Sequence, residues 1–231
     1  MQYLGGKHKI ARHIVPFMEM FYRRDHTTWV EPFMGACNTL ALASGDRIGN
    51  DIDPDLVALF KALQKGYDPP SIVTEEEYNR IKENPSAYPP ELCAFVGFGC
   101  SFGGKKWASF ARNKRGREFA EVARRGLQRK MRTLSRVRFV NGGFQDLEMP
   151  SRSFIYCDPP YAHTLGYGHP FDHAEFWQWC RDKSLQGHTV LISEYSAPDD
   201  FEPITSSKQR TSFNNSQNWA TEKIFKWSGD E

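Results

Sequence analysis

A short strand, Thr28-Trp29-Val30, is closed by Pro32 and Gly35, and a second, Arg47-Ile48-Gly49-Asn50, ends on Asp51. Between them Asn38 to Ser44 reads as a helix. After them Leu56 to Lys65 reads as a helix with apolar positions 56, 59, 60 and 63. Strand, turn, helix, strand, acid, helix is how a parallel doubly wound sheet begins. A first helix over residues 8–24 precedes it, carried by Ile10, Ile14, Phe17, Met18 and Phe21. Strand signals return at Val137–Val140, Ser153–Cys157 and Thr189–Ile192, with a crossover helix over Asp172–Ser184 and a final strand at Thr221–Trp227. The segment between the two sets differs in character. It has proline clusters, helical stretches and an amphipathic helix over Glu118–Leu134 with Phe119, Ala123, Leu127, Met131 and Leu134 as its stripe. The pattern therefore predicts an α/β chain in which residues 1–65 and 139–231 form a discontinuous sheet domain and 66–138 a mostly helical insertion.

The formal charge of the chain is only +2, but from Lys105 to Arg138 thirteen lysines and arginines face two glutamates, Glu118 and Glu121. Such a concentration is the footprint of a polyanion, most simply nucleic acid. A solvated helix face is the bland alternative. Trp107, Phe110 and Phe119, interleaved with the charge, offer rings on which bases stack. Charged residues make up 25% of the chain, the share usual in globular domains, which excludes a largely disordered chain. No apolar run approaches a membrane span, and the first residues lack a signal-peptide core. Five widely spaced cysteines without a C-x-x-C pair suit a reducing cytosol rather than a disulfide framework.

Three motifs carry chemistry. Cys157-Asp158-Pro159-Pro160-Tyr161 directly follows a strand, where open α/β sheets bind ligands. The prolines remove two backbone donors, so Asp158 and the Pro159 carbonyl can together accept both hydrogens of an exocyclic amino group. Tyr161 offers a face for a planar base. Glu31-Pro32-Phe33-Met34-Gly35-Ala36 puts a glycine where backbone can approach a ligand. Asp51 stands where a ribose hydroxyl pair is held, or caps a helix, a part open to Asp53 or Asp55 as well. Without G-x-G-x-x-G a pyrophosphate is not expected, and a nucleoside ligand fits better. Tyr3-Leu4-Gly5-Gly6-Lys7 presents an ammonium on a flexible loop, suited to a carboxylate. His163, His169 and His173 follow the Asp158 loop without further ligands beside them, so a metal is not expected.

In their order these motifs resemble the alpha group of DNA adenine-N6 methyltransferases, the DNA adenine methylase family. It carries G-G-K, then F-x-G-x-G, an acidic strand end, a target-recognition insertion and D-P-P-Y. Phe98–Lys105 is similar to small phage-type members. Cys37 stands at the second glycine of F-x-G-x-G. The resemblance implies a Rossmann-like methyltransferase sheet with a helical target-recognition insertion. It implies S-adenosylmethionine as donor, S-adenosylhomocysteine as product, and no metal. Tyr3 and Lys7 would lie at the cofactor's methionine end, Phe33 and Gly35 would line its pocket, Asp51 would hold the ribose, and Asp146 would read its adenine. Asp158, Pro159 and Tyr161 would grip a flipped-out target adenine, with Asp158 also bordering the cofactor. The insertion would bind double-stranded DNA through Lys105, Lys106, Arg112, Lys114, Arg115, Arg124, Arg125 and Arg132. A monomer in the cytoplasm of a bacterial or phage-infected cell is expected, with or without a restriction partner. Cytosine N4 or an RNA base as target, and an inactive DNA-binding relative, are the alternatives.

Overall fold

The computed structural model describes residues 1–22, 26–112, 116, 118–161, 171–211 and 218–229. Seven strands form one sheet: β1 (Thr28–Glu31), β2 (Asp46–Asp51), β3 (Arg138–Asn141), β4 (Phe154–Cys157), β5 (Thr189–Glu194), β6 (Phe201–Thr211) and β7 (Asn218–Trp227), in the order β3-β2-β1-β4-β5-β7-β6. The first five run parallel, and β7 is antiparallel to both β5 and β6. The central strands β1 and β4 are buried along their whole length, as strands covered on both faces must be.

Among the described residues six α-helices accompany the sheet: α1 (Ala11–Tyr22), α2 (Pro54–Gln64), α3 (Glu75–Glu83), α4 (Pro90–Gly99), α5 (Phe119–Leu134) and α6 (His173–Leu185). Their starts follow local chemistry. Asp53 caps α2 by accepting from the amides of Asp55 and Leu56, and Pro54 opens the first turn. Thr74 and Glu77 form a capping box on α3. Asp172 caps α6. The helices of segment 66–138 share an apolar core with the sheet. Phe95, Ala123 and Leu127 of α4 and α5 lie in the same apolar cluster as Leu56 and Phe60 of α2 and Trp29 and Phe154 of the sheet.

Two expectations are corrected. Residues 38–44 form turns rather than a helix. The stretch makes two i→i−4 amide bonds, Ala41 to Cys37 and Ala43 to Thr39, before Gly45, at φ +72°, turns into β2. A run this short does not sustain a helix. Phe201–Thr211, unassigned in the sequence reading, is an edge strand. Pro203 and a register shift between Pro203 and Thr205 hid its alternation, and both are tolerated at an edge.

Strand order reverses between β1 and β4, so the crevice beyond their carboxyl ends is the switch point where such sheets take ligands.

Candidate active site at the switch point

The turn after β1 is tied down by its own backbone. Met34 donates to the Asn50 carbonyl at 2.8 Å and Gly35 donates to Asp51 Oδ2 at 3.0 Å. Gly35 has φ +45°, and a Cβ there would sit 2.9 Å from Tyr3 Cε1, so the Tyr3 ring lies directly on the glycine. The other side of that ring packs toward Phe98 at 5.0 Å between centroids. Cys37, in the second glycine position of the motif, also adopts a left-handed φ of +53°. It is fully buried, and packing holds it in a conformation that glycine reaches without strain.

Asp51 ends β2 and is buried. Its Oδ1 accepts from the Asp53 amide at 3.0 Å while Oδ2 holds Gly35. Burial pushes its carboxyl up to about 6 against the pull of those two amides. Nearby, Phe33 packs against Phe144, Phe171 and Phe176 with centroids 5.5–5.8 Å away. Asp146 lies in the loop after β3, two residues beyond Phe144, and is exposed.

At the end of β4 stands a cluster of charged side chains. Lys7 Nζ donates to Asp158 Oδ1 and to the Tyr161 hydroxyl, each at 2.6 Å, and lies 3.3 Å from Glu222 Oε1. Lys7 and Glu222 are buried, and the Asp158 side chain is 20% exposed. Burial works against the Lys7 ammonium, but Asp158 and Glu222 outweigh it and its pKa is raised. Burial also raises the Asp158 carboxyl, with Lys7 opposing and Glu222 adding to the shift. Pro159 is buried beside it. The Tyr161 ring carries the Lys7 ammonium 4.7 Å from its centroid and the Tyr195 ring edge-on at 4.8 Å. Lys7 thus meets a carboxylate of the chain itself, where the sequence reading offered it to a ligand.

Glu222, Glu31 and Lys130 were not singled out from sequence. Glu31 ends β1 fully buried, accepting from Trp29 Nε1 at 3.0 Å and from Thr39 Oγ1 at 2.8 Å, and burial pushes it up to about 8. The signal was an acid closing an otherwise apolar strand. Lys130, on α5, reaches the turn after β1, where it donates to the Ala36 carbonyl and, at 2.6 Å, to Asn38 Oδ1. Burial lowers it to about 8.

The basic segment divides. Lys106 is bound at 2.7 Å to Asp53 and at 2.9 Å to Asp55. Arg112 pairs with Glu75, Arg124 with Asp68 and Glu121, and Arg125 with Glu121. Lys105 and Arg132 are exposed. Lys114, Arg115, His163 and His169 lie outside the described residues. Of the aromatics interleaved with that charge, Trp107 and Phe110 meet Tyr78 with centroids 5.8 and 5.5 Å away and lean on the main core. Among the described residues no cluster of metal-ligating side chains occurs, and no helix is long and apolar enough to cross a membrane.

The strand order, with β7 reversed, is that of a Rossmann-like α/β fold. Residues 3–89 of the chain match the model of the D12 class N6 adenine-specific DNA methyltransferases. No curated protein matches it. Among solved structures it is similar to a Listeria monocytogenes protein assigned as a class I S-adenosylmethionine-dependent methyltransferase, with 10% identity, 97% of this chain, 61% of that chain and a TM-score of 0.45. It is similar, too, to magnesium protoporphyrin IX methyltransferase of Synechocystis with bound S-adenosylmethionine, with 9% identity, 96% and 79% coverage and a TM-score of 0.42. The human methyltransferase 10 domain containing protein gives 9% identity, 95% and 82% coverage and a TM-score of 0.42. The chain spans less than two thirds of the Listeria protein.

Proposed function

We propose that the protein methylates N6 of adenine in double-stranded DNA, acting as a monomer with S-adenosylmethionine as donor. The observation that carries this reading is the placement of Asp158. It stands at the end of β4, held by Lys7, across the switch point from the Gly35 turn and from Asp51.

The donor set suits the cofactor. Asp51 is a buried acceptor at the end of β2, Asp146 an exposed acceptor in the loop after β3, and Phe33 with Phe144 provides flat apolar surface between the two strands' loops. Hydroxyls, an amino group and a purine ring are what such a set would hold, with Tyr3, Lys7 and Gly35 at the other end. Bound there, S-adenosylmethionine supplies a methyl group activated on a sulfonium.

The chain's own part is to prepare the nitrogen. N6 of adenine is conjugated into its ring and nucleophilically weak. Asp158 and the Pro159 carbonyl accept its two hydrogens and turn its lone pair out of conjugation, so that alignment supplies much of the rate. Lys7 fixes the orientation of Asp158 through Oδ1. The base must leave the duplex to reach it, at roughly a few kcal/mol. A base stacked on Tyr161 requires Tyr195, now against that ring, to give way. Exposed cations of the 105–138 segment follow the phosphates.

The test is mass spectrometry of nucleosides after DNA or RNA is incubated with methyl-labelled S-adenosylmethionine. Labelled N6-methyladenine from DNA is expected. Label in N4-methylcytosine or in RNA alone, or cofactor binding with no label, overturns the reading.

A further inference from the structure

Lys106 belongs to the basic segment, yet its ammonium turns inward to the loop after β2. It donates to Asp53 Oδ2 at 2.7 Å and Oδ1 at 3.0 Å, and to Asp55 Oδ2 at 2.9 Å. Asp53 Oδ1 also caps α2, accepting from the Asp55 and Leu56 amides at 3.0 and 3.2 Å, while the Asp53 amide donates to Asp51 Oδ1 at 3.0 Å. Asp51 Oδ2 in turn holds Gly35. One chain of bonds therefore runs from Lys106 through Asp53 and Asp51 to the turn after β1. The stem of Lys106 crosses α4 at Gly97, where a Cβ would lie 3.2 Å from its Cγ. Its ammonium stands 5.5 Å from the centre of the Phe98 ring, which packs on Tyr3, and Tyr3 lies on Gly35. To reach a phosphate this lysine would have to leave two carboxylates and a ring face.

Its charge also bears on Asp51. Burial raises that carboxyl to about 6, the amides of Asp53 and Gly35 oppose the rise, the Asp53 charge adds to it and the Lys106 charge opposes it. The charged and titratable groups facing Asp51 are thus Asp53 of its own loop, Lys106 of the basic segment and Cys37 of the turn after β1, whose thiol burial keeps neutral. Burial works against the Lys106 ammonium, but Asp53 and Asp55 outweigh it and the group stays charged. A carboxylate offers about four acceptor sites, and the two amides on Asp51 take two of them.

We propose that Lys106 is a positioning residue for S-adenosylmethionine rather than a phosphate ligand: from the basic segment it pins the loop after β2, so that Asp51 meets the ribose hydroxyls as a fixed acceptor. This inference rests on the methyltransferase reading.

The test is calorimetry of S-adenosylhomocysteine binding to the full chain between pH 5.5 and 8.5, beside titration of a fluorescent duplex at several salt concentrations. Lys106→Met keeps the stem and removes the charge, so affinity for S-adenosylhomocysteine at pH 7.5 falls about tenfold. In the wild type, affinity falls as the pH drops through about 6, where Asp51 takes up its proton. Without Lys106 the carboxyl holds that proton more tightly, and the bend moves about half a unit higher. Lys106→Arg, which keeps the charge between the two carboxylates, restores most of the affinity and the position of the bend. The salt slope of duplex binding stays at the wild-type value in Lys106→Met. Should Lys106→Met not fold, Asp55→Asn removes one of the two charges that hold the lysine, and S-adenosylhomocysteine affinity falls about threefold with the salt slope unchanged. Wild-type affinity and pH profile in the folded variant, or a salt slope lower by about 1, the loss of one phosphate contact, overturn the role of Lys106 and leave the methyltransferase reading standing. Failure of the wild type to bind S-adenosylhomocysteine overturns both.

Discussion

Lys7 and Asp158 are 151 residues apart in the chain and 2.6 Å apart in the fold. The lysine leaves a glycine pair just before α1, and the aspartate ends the strand on the far side of the switch point. Their pairing fastens the amino-terminal loop onto the edge of the sheet where the parallel strands end, and it occupies Oδ1 of Asp158.

Asp158→Ala removes the proposed acceptor of the N6 hydrogen but leaves Lys7 its second carboxylate partner, so the fold persists. Transfer of labelled methyl to DNA is expected to vanish, while calorimetric binding of S-adenosylhomocysteine remains. Wild-type turnover in this variant would remove Asp158 from the mechanism.

Gly35→Ala places a Cβ 2.9 Å from the Tyr3 ring at a residue with φ +45°. Left-handed backbone alone costs an alanine about 1–2 kcal/mol, and the turn must also shift off Tyr3. Cofactor affinity should drop at least roughly tenfold, the equivalent of about 1.4 kcal/mol. Gly35→Ala combined with Tyr3→Ala should recover part of the loss, because the collision is relieved while the φ penalty stays. If the double variant binds no better than the single one, Tyr3 is not what the glycine makes room for.

The ion pairs of the basic segment separate two kinds of cation. Replacing exposed Lys105 and Arg132 by alanine should lower the slope of log K against log salt for DNA binding by about 2, roughly one for each phosphate contact. Arg124→Ala should change it less, since Asp68 and Glu121 already hold that guanidinium. Titration of a fluorescent duplex at several salt concentrations measures this. Equal losses from both sets would show that pairing within the fold does not decide which cations meet DNA.

Glu31 has a folded-state pKa of about 8 against an ordinary 4.5, raised chiefly by burial. A carboxyl that binds its proton more tightly when folded adds stability that is fully present below pH 4.5 and is lost as pH rises toward 8. Glu31→Gln keeps acceptor and donor for Trp29 and Thr39 without the ionisation. Urea unfolding between pH 5 and 8 should therefore show a flatter decline in the variant than in the wild type. Parallel curves would mean that Glu31 is ionised without cost.

Local pattern determined much of this protein. Apolar runs at Trp29-Val30 and Phe154–Cys157, bounded by turn residues, read as interior strands, and the caps at Asp53 and Asp172 mark helix starts through their nearest amides. The order of those elements sets the switch point, and hence the neighbourhood of Gly35, Asp51 and Asp158. Tertiary structure decided which charges meet. Lys7 finds Asp158, Lys106 finds Asp53, Lys130 finds the turn at Ala36, and Glu222 reaches the site only because β7 is reversed. A side chain's partner depends on which distant strands and helices lie beside it, and nothing in a window of neighbouring residues carries that information. The same holds for Trp107 and Phe110: a ring in a basic stretch looks the same in sequence whether it awaits a base or, as here, packs on Tyr78.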